Sequence, residues 1–202
     1  MTAKKKTKAG ERPLTIYFVR HAQAMEVLEG VQGPDDPPLS QLGQRQAVRL
    51  ARRLQMEKFD HAYTSPLTRA RQTAEAVLEF HKGLNVTMSK DIVEIGRDHF
   101  VEVPQGFSPS HPQVLVREQD ALVRFANRIR HTHEPGQRLL VVAHGNLIRS
   151  LMPMLGGRNP LESLLLEISN ASLCILDVWA SGSAILRLGN CVKHLLPGEI
   201  TS

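Results

Sequence analysis

A chain of 202 residues with 42% hydrophobic side chains is long enough to close over one sizeable core, and a single domain is the default. Its formal charge of +5 is concentrated in residues 1–13, where Lys4, Lys5, Lys6, Lys8 and Arg12 face only Glu11; the rest of the chain is close to neutral, which argues against a nucleic-acid-binding surface. The basic stretch lacks the apolar segment of a signal peptide and no later apolar run reaches membrane-spanning length, so a soluble protein with no membrane partner is expected.

Residues 1–13 read as a basic, solvated and disordered tail, and residues 14–202 as the domain. The domain opens on Leu14 to Gln23, LTIYFVRHAQ. Branched and aromatic residues make a buried strand that runs directly into Arg20 and His21. In open α/β sheets ligands sit outside the carboxyl ends of strands, so these two residues fall where chemistry is expected. Taken alone, the stretch is equally a strand that exits into solvent.

Glu26 to Pro38 is a loop by its glycines, prolines and aspartates. From Ser40, Leu42, Ala47, Leu50, Ala51 and Leu54 recur at helical spacing, with Arg45, Arg49, Arg52 and Arg53 forming a solvated face. Asp60 to Thr64 is a short strand. A helix from Pro66 to His81 follows, with Ser65 suited to cap it, Pro66 to its first turn, and Arg69 within that turn. Val86 to Ser89 is a further short strand, and residues 90–112 are irregular by composition. Val114 to His131 reads as a helix, Leu139 to Ala143 as an apolar strand, and Gly145 to Leu155 as a helix halted at Gly156 and Gly157. Ser172 to Trp179 and Ala184 to Leu188 flank Ser181-Gly182 as an antiparallel hairpin. Alternating strands and helices argue an α/β domain: three layers, α/β/α, around a mostly parallel but mixed sheet.

Cys174 and Cys191 have no metal-ligand spacing and are expected to be buried and reduced, consistent with a cytoplasmic protein. His131 and His133 form an HxH without accompanying Cys or carboxylate, and read as a solvated helix end rather than a metal site.

Three strand ends thus deliver Arg20 with His21, Arg69, and His144, the last followed by a glycine and a helix. Two guanidiniums and two imidazoles beside helix amino termini suit a phosphoryl dianion. A neutral imidazole is needed for attack, and the guanidinium charges are expected to hold the His21 pKa down.

Arg20-His21-Ala22-Gln23, Asp36-Pro37-Pro38-Leu39-Ser40 with Gly43 and Ala47, Ser65-Pro66-Leu67-Thr68-Arg69-Ala70 with Thr73 and Ala74, and Ala143-His144-Gly145 together resemble the histidine phosphatase, or phosphoglycerate mutase-like, superfamily. Asn190 with His194-Leu195 is similar to the family's closing segment. The resemblance spans Ile16 to Leu195 and implies a three-layer fold with no metal or organic cofactor. It implies that His21 is the nucleophile, taking the phosphoryl group as a phosphohistidine, that Arg20, Arg69 and His144 bind its oxygens, and that Glu94 is the general acid, with Asp98 or Glu102 in reserve. Three positions depart from the commonest family pattern: Ala22, Gln23 and Val27. Ala22-Gln23 and the segment from His144 to Arg149 also look like the branch that acts on phosphoproteins, so the expected substrate is a phosphorylated small molecule or a phosphoprotein. Three readings follow: a phosphomonoesterase, a phosphoglycerate mutase, and a non-catalytic phosphate-binding scaffold. The first leads, because every catalytic position is filled. Ile95 to Ala143 leaves little chain for the lid of a mutase, so water is the expected acceptor.

Overall fold

The computed structural model describes residues 12–26, 35–96, 112–158 and 166–202. The tail before Arg12, Val27, the reserve acids Asp98 and Glu102, and residues 97–111 of the segment considered as a lid lie outside the described residues. Ten elements follow in chain order: β1 (Leu14–Arg20), α1 (Gln41–Leu54), β2 (His61–Thr64), α2 (Thr68–Leu78), β3 (Val86–Met88), α3 (Pro112–Thr132), β4 (Arg138–Ala143), α4 (Gly145–Leu155), β5 (Leu173–Val178) and β6 (Ala184–Cys191).

The six strands form one sheet in the order β3-β2-β4-β1-β5-β6. β1 pairs in parallel with β4 and antiparallel with β5, while β2 runs parallel to both β3 and β4. Only β5 opposes the common direction, because the β5–β6 hairpin is antiparallel. The sheet is mixed, as its tight Ser181-Gly182 connection requires; Gly182 adopts φ 86°, a conformation that favours glycine.

Strand alternation assigns the core to two faces. Ile16 and Phe18 of β1 join Leu139 and Val141 of β4 in packing against Phe125 and Ile129 of α3 and Leu147 and Leu151 of α4. Tyr17 and Val19 face the other way, with Leu140 and Val142, onto Leu50 and Leu54 of α1 and Ala74 and Val77 of α2. Both layers are therefore anchored on the central pair β1 and β4, and the chain is a three-layer α/β/α domain. No helix among the described residues is long and apolar enough to cross a membrane.

Some local expectations are corrected. α2 begins at Thr68 and ends at Leu78, rather than spanning Pro66 to His81, and Ser65 does not cap it. Leu67, the residue before the helix, is extended, and the orphan N–H of Thr68 is taken by the carboxylate of Asp36. The HxH pair is split: His131 is exposed, whereas the His133 Nε2 lies 2.8 Å from the Tyr63 hydroxyl and its ring packs 5.5 Å from that of His61. Cys174 is buried and Cys191 half-buried, and both are free thiols.

Candidate active site

Strand register brings the reactive residues together. Arg20 is opposite Ala143, and Thr64 is opposite Val142, so β1, β2 and β4 end side by side. One residue further on, the His21 N–H donates to the Ala143 carbonyl at 2.9 Å and the Ser65 N–H to the Val142 carbonyl at 3.0 Å. His21 and Ser65 are thus fixed to β4 by main-chain bonds that continue the sheet past its last paired residues, and His144 is the next residue of that strand's chain.

His21 is 7% exposed. Its Nδ1 lies 2.8 Å from the Ala22 carbonyl, which can only accept, so Nδ1 carries the proton. Nε2 then bears the lone pair and accepts the Arg69 Nε–H at 3.2 Å. Burial is the main force lowering the His21 pKa to about 3; the Ala22 bond opposes it, and Arg69 and Arg20 add to it. The guanidinium charges therefore help, but exclusion of water leads.

His144 is fully buried, its ring 5.0 Å from that of His21, and its Nε2 is 2.8 Å from the Ser65 hydroxyl. Its pKa is also driven well down, first by burial and then by the neighbouring His21, Arg69 and Arg20. Arg20 crosses beneath the start of α4: its guanidinium donates to the Ile168 carbonyl and rests against Gly145, where an added Cβ would lie 3.5 Å from its Nε. Arg69, in the first turn of α2, pairs with Asp36 at 3.6 Å.

Glu94 leaves the turn at Lys90–Ile92, which Ile92 and Ile95 anchor in the core. One carboxylate oxygen accepts the N–H of Ile95 at 3.1 Å and that of Leu147 at 3.3 Å, the latter from the first turn of α4. The Glu94 pKa is raised: burial outweighs those two bonds and the opposing charges of Arg20 and Arg69. A carboxyl group whose pKa is raised by burial and which feels both guanidiniums is suited to protonate a leaving group. Arg20, His21, Arg69, Glu94 and His144 are all brought to one end of the sheet. Among the described residues, no group of three or more His, Cys, Asp or Glu could hold a metal ion.

Further residues hold the site together, and one of them, Asn170, carries no local signal for it. Thr73 accepts the Ala22 N–H at 3.0 Å and donates to the Arg69 carbonyl at 2.7 Å, tying the His21 loop to α2. Asn170 donates its side-chain amide to the His21 carbonyl at 3.3 Å, and the Ala171 N–H reaches the same oxygen at 3.2 Å. Ala22 is fully buried with Leu39, Ala47, Ala171 and Leu195. Gln23 binds the Ser40 hydroxyl at 2.7 Å, so two of the three departures from the commonest family pattern, Ala22 and Gln23, pack as part of the loop.

The sequence profile of the histidine phosphatase superfamily (branch 1) matches residues 16–191. The chain belongs to that superfamily. This histidine phosphatase is 26% identical to a "probable phosphatase" of Schizosaccharomyces pombe over 90% of its own length and 71% of the relative's. It is 24% identical to the "probable phosphoglycerate mutase GpmB" of Yersinia enterocolitica, over 90% of this chain and 95% of that one. The α-ribazole phosphatase of Shigella flexneri has the same fold, with a TM-score of 0.72, 21% identity, and coverage of 88% of this chain and 96% of the other.

Proposed function

We propose that this histidine phosphatase hydrolyses phosphomonoesters through a phosphohistidine on His21, with Glu94 as general acid and Arg20, Arg69 and His144 as ligands of the phosphoryl oxygens. The observation that carries this reading is the polarity of the His21 ring, with Nδ1–H held by the Ala22 carbonyl and the Nε2 lone pair turned towards Arg69. Nε2 attacks phosphorus as the P–O bond to the alcohol breaks, and the departing alkoxide takes the Glu94 proton. The ring becomes cationic in this step, and the Ala22 carbonyl stabilises it through the hydrogen bond to Nδ1–H. Arg69 and Arg20 meet the charge on the phosphoryl oxygens. In the second step water attacks phosphorus, Glu94 takes a proton from it, and the P–N bond breaks to return neutral His21.

The likeness to the Shigella α-ribazole phosphatase favours a phosphorylated small molecule over a phosphoprotein. The free thiols Cys174 and Cys191 support a cytoplasmic setting. Purified protein screened against small phosphomonoesters and phosphopeptides, with a chelator present, tests the reaction class. His21→Ala should abolish both turnover and covalent labelling, and the label on the unaltered protein should be acid-labile and base-stable, as a phosphoramidate is. An acid-stable label would overturn the mechanism. The Yersinia relative brings in phosphoglycerate mutase as the second reading. With 3-phosphoglycerate and a trace of 2,3-bisphosphoglycerate, slow hydrolysis or no reaction is expected; rapid 2-phosphoglycerate without free phosphate would make the mutase reading correct.

A further inference from the structure

Ser65 sits one residue beyond β2, fully buried, with its backbone bonded to β4. Its hydroxyl has two recorded partners: the Leu67 N–H, which donates to it at 3.3 Å, and His144 Nε2 at 2.8 Å. We propose that Ser65 is a positioning residue that fixes the tautomer of His144, leaving the proton on Nδ1 for the phosphoryl oxygen. The proposal rests on the phosphatase reading of the site, but its central statement concerns the free protein.

A serine hydroxyl has one proton to give and two lone pairs. Leu67 occupies one lone pair. If His144 Nε2 carried a proton and donated it to the second, the Ser65 proton would need another acceptor, and among the described residues none is recorded. The buried hydroxyl proton would be orphaned together with the buried Nδ1 lone pair of His144, two unsatisfied groups at a desolvation cost where the other tautomer leaves one, the Nδ1–H. If Ser65 donates to Nε2 instead, its proton and both of its contacts are satisfied, and the proton of neutral His144 must reside on Nδ1. That nitrogen is buried and has no hydrogen-bond partner of its own.

The same outcome follows from the proposed substrate. A phosphoryl dianion has only acceptors, so a neutral imidazole can bind it only through a protonated nitrogen. An Nδ1 lone pair turned to those oxygens would repel them. Ser65 therefore selects the tautomer that converts His144 from an acceptor into a donor, much as the hydrogen bond at one ring nitrogen fixes the role of the other elsewhere. Leu67 stands extended between Ser65 and α2, and the Ser65 hydroxyl meets Leu67 and His144 rather than the first turn of the helix.

The test is a long-range proton–nitrogen correlation spectrum of protein labelled with ring-15N histidine, with His144 assigned by comparison with His144→Asn. A pyrrole-type Nδ1 and a pyridine-type Nε2 are expected. The reverse pattern in the unaltered protein would overturn the proposal whatever the enzyme hydrolyses. Ser65→Ala should shift His144 towards the other tautomer and lower kcat/KM by about ten- to a hundredfold, the size seen when a partner orienting a ligating histidine is removed. Ser65→Thr, which keeps the hydroxyl, should restore both the pattern and most of the rate. If Ser65→Ala keeps the pattern of the unaltered protein, Ser65 does not set it and the proposal fails. If the expected pattern is found but no phosphoester is turned over, the phosphatase reading falls and the tautomer assignment stands.

Discussion

The Asp36 carboxylate receives the Thr68 backbone N–H at 2.8 Å and the Thr68 hydroxyl at 2.8 Å, across 32 residues of sequence. An acid from a distant loop thus caps the helix that carries Arg69 in its first turn, and also pairs with Arg69 itself. The helix start and the guanidinium are set by one group.

Asp36→Ala should therefore cost stability and activity together. Loss of an N-cap is worth about 1–2 kcal/mol, which lowers Tm by roughly 2–8 °C in a chain of this size. kcat/KM should fall by at least about tenfold as Arg69 loses its fixed position. Asp36→Asn keeps a capping oxygen but no charge, so thermal unfolding should change little while the kinetic loss persists.

In the proposed mechanism Glu94 enters the reaction as the acid. Since its pKa is raised by burial, kcat/KM should stay high through the ordinary carboxylate range and fall only as pH rises past that elevated value. Glu94→Gln removes this basic limb. It should slow alkyl phosphates by about 10²–10⁴-fold and p-nitrophenyl phosphate, whose leaving group needs no proton, much less. Equal losses on both substrates would show that Glu94 does not protonate the leaving group.

His21 and His144 make the fold sensitive to acid. Both have pKa values lowered in the folded protein from an ordinary 6.5, so the unfolded chain binds protons more readily. Their contribution is present above pH 6.5 and is lost as pH falls towards the folded value, about 3 for His21. The slope approaches about 1.4 kcal/mol per pH unit for each histidine. Urea unfolding of His21→Gln between pH 6.5 and 4 should show a slope shallower by one such increment.

Gly43 meets the His21 loop without room for a side chain. A Cβ there would lie 2.0 Å from the Gln23 carbonyl oxygen, against main chain that cannot rotate away. Gly43→Ala should destabilise by about 3 kcal/mol or more, measured as a Tm lower by roughly 6–12 °C.

The parts of this molecule that can be read in order along the chain were legible. β1 and β4 are apolar runs because both faces of the sheet are covered, and Arg20, His21 and His144 follow them directly. What escaped was set across the sequence. Ser65 has the chemistry of an N-cap, but β2 and β4 end together, and its hydroxyl meets His144 instead of α2. The cap came from Asp36, whose neighbours Pro37 and Pro38 announce a turn and say nothing of its partner. His133 looks solvated in isolation, yet it lies over Tyr63 and His61 from another strand. The low His21 pKa was expected from its charged neighbours, whereas burial, a property of the whole fold, has the larger share.

The position of β1 between β4 and β5 has a consequence for biosynthesis. The strand that leads into His21 is translated well before either of its partners, the nearer of which begins at Arg138. At about 5–20 residues per second, Leu14–Val19 waits on the order of ten seconds with neither edge paired. During that interval an apolar strand that leads into the site is exposed to the ribosome surface and to chaperones. His144, and the Asn170 amide that holds the His21 carbonyl, emerge later still. A nascent chain is therefore catalytically silent until β5 has been added, and stalled fragments ending before it carry an aggregation hazard without the corresponding activity.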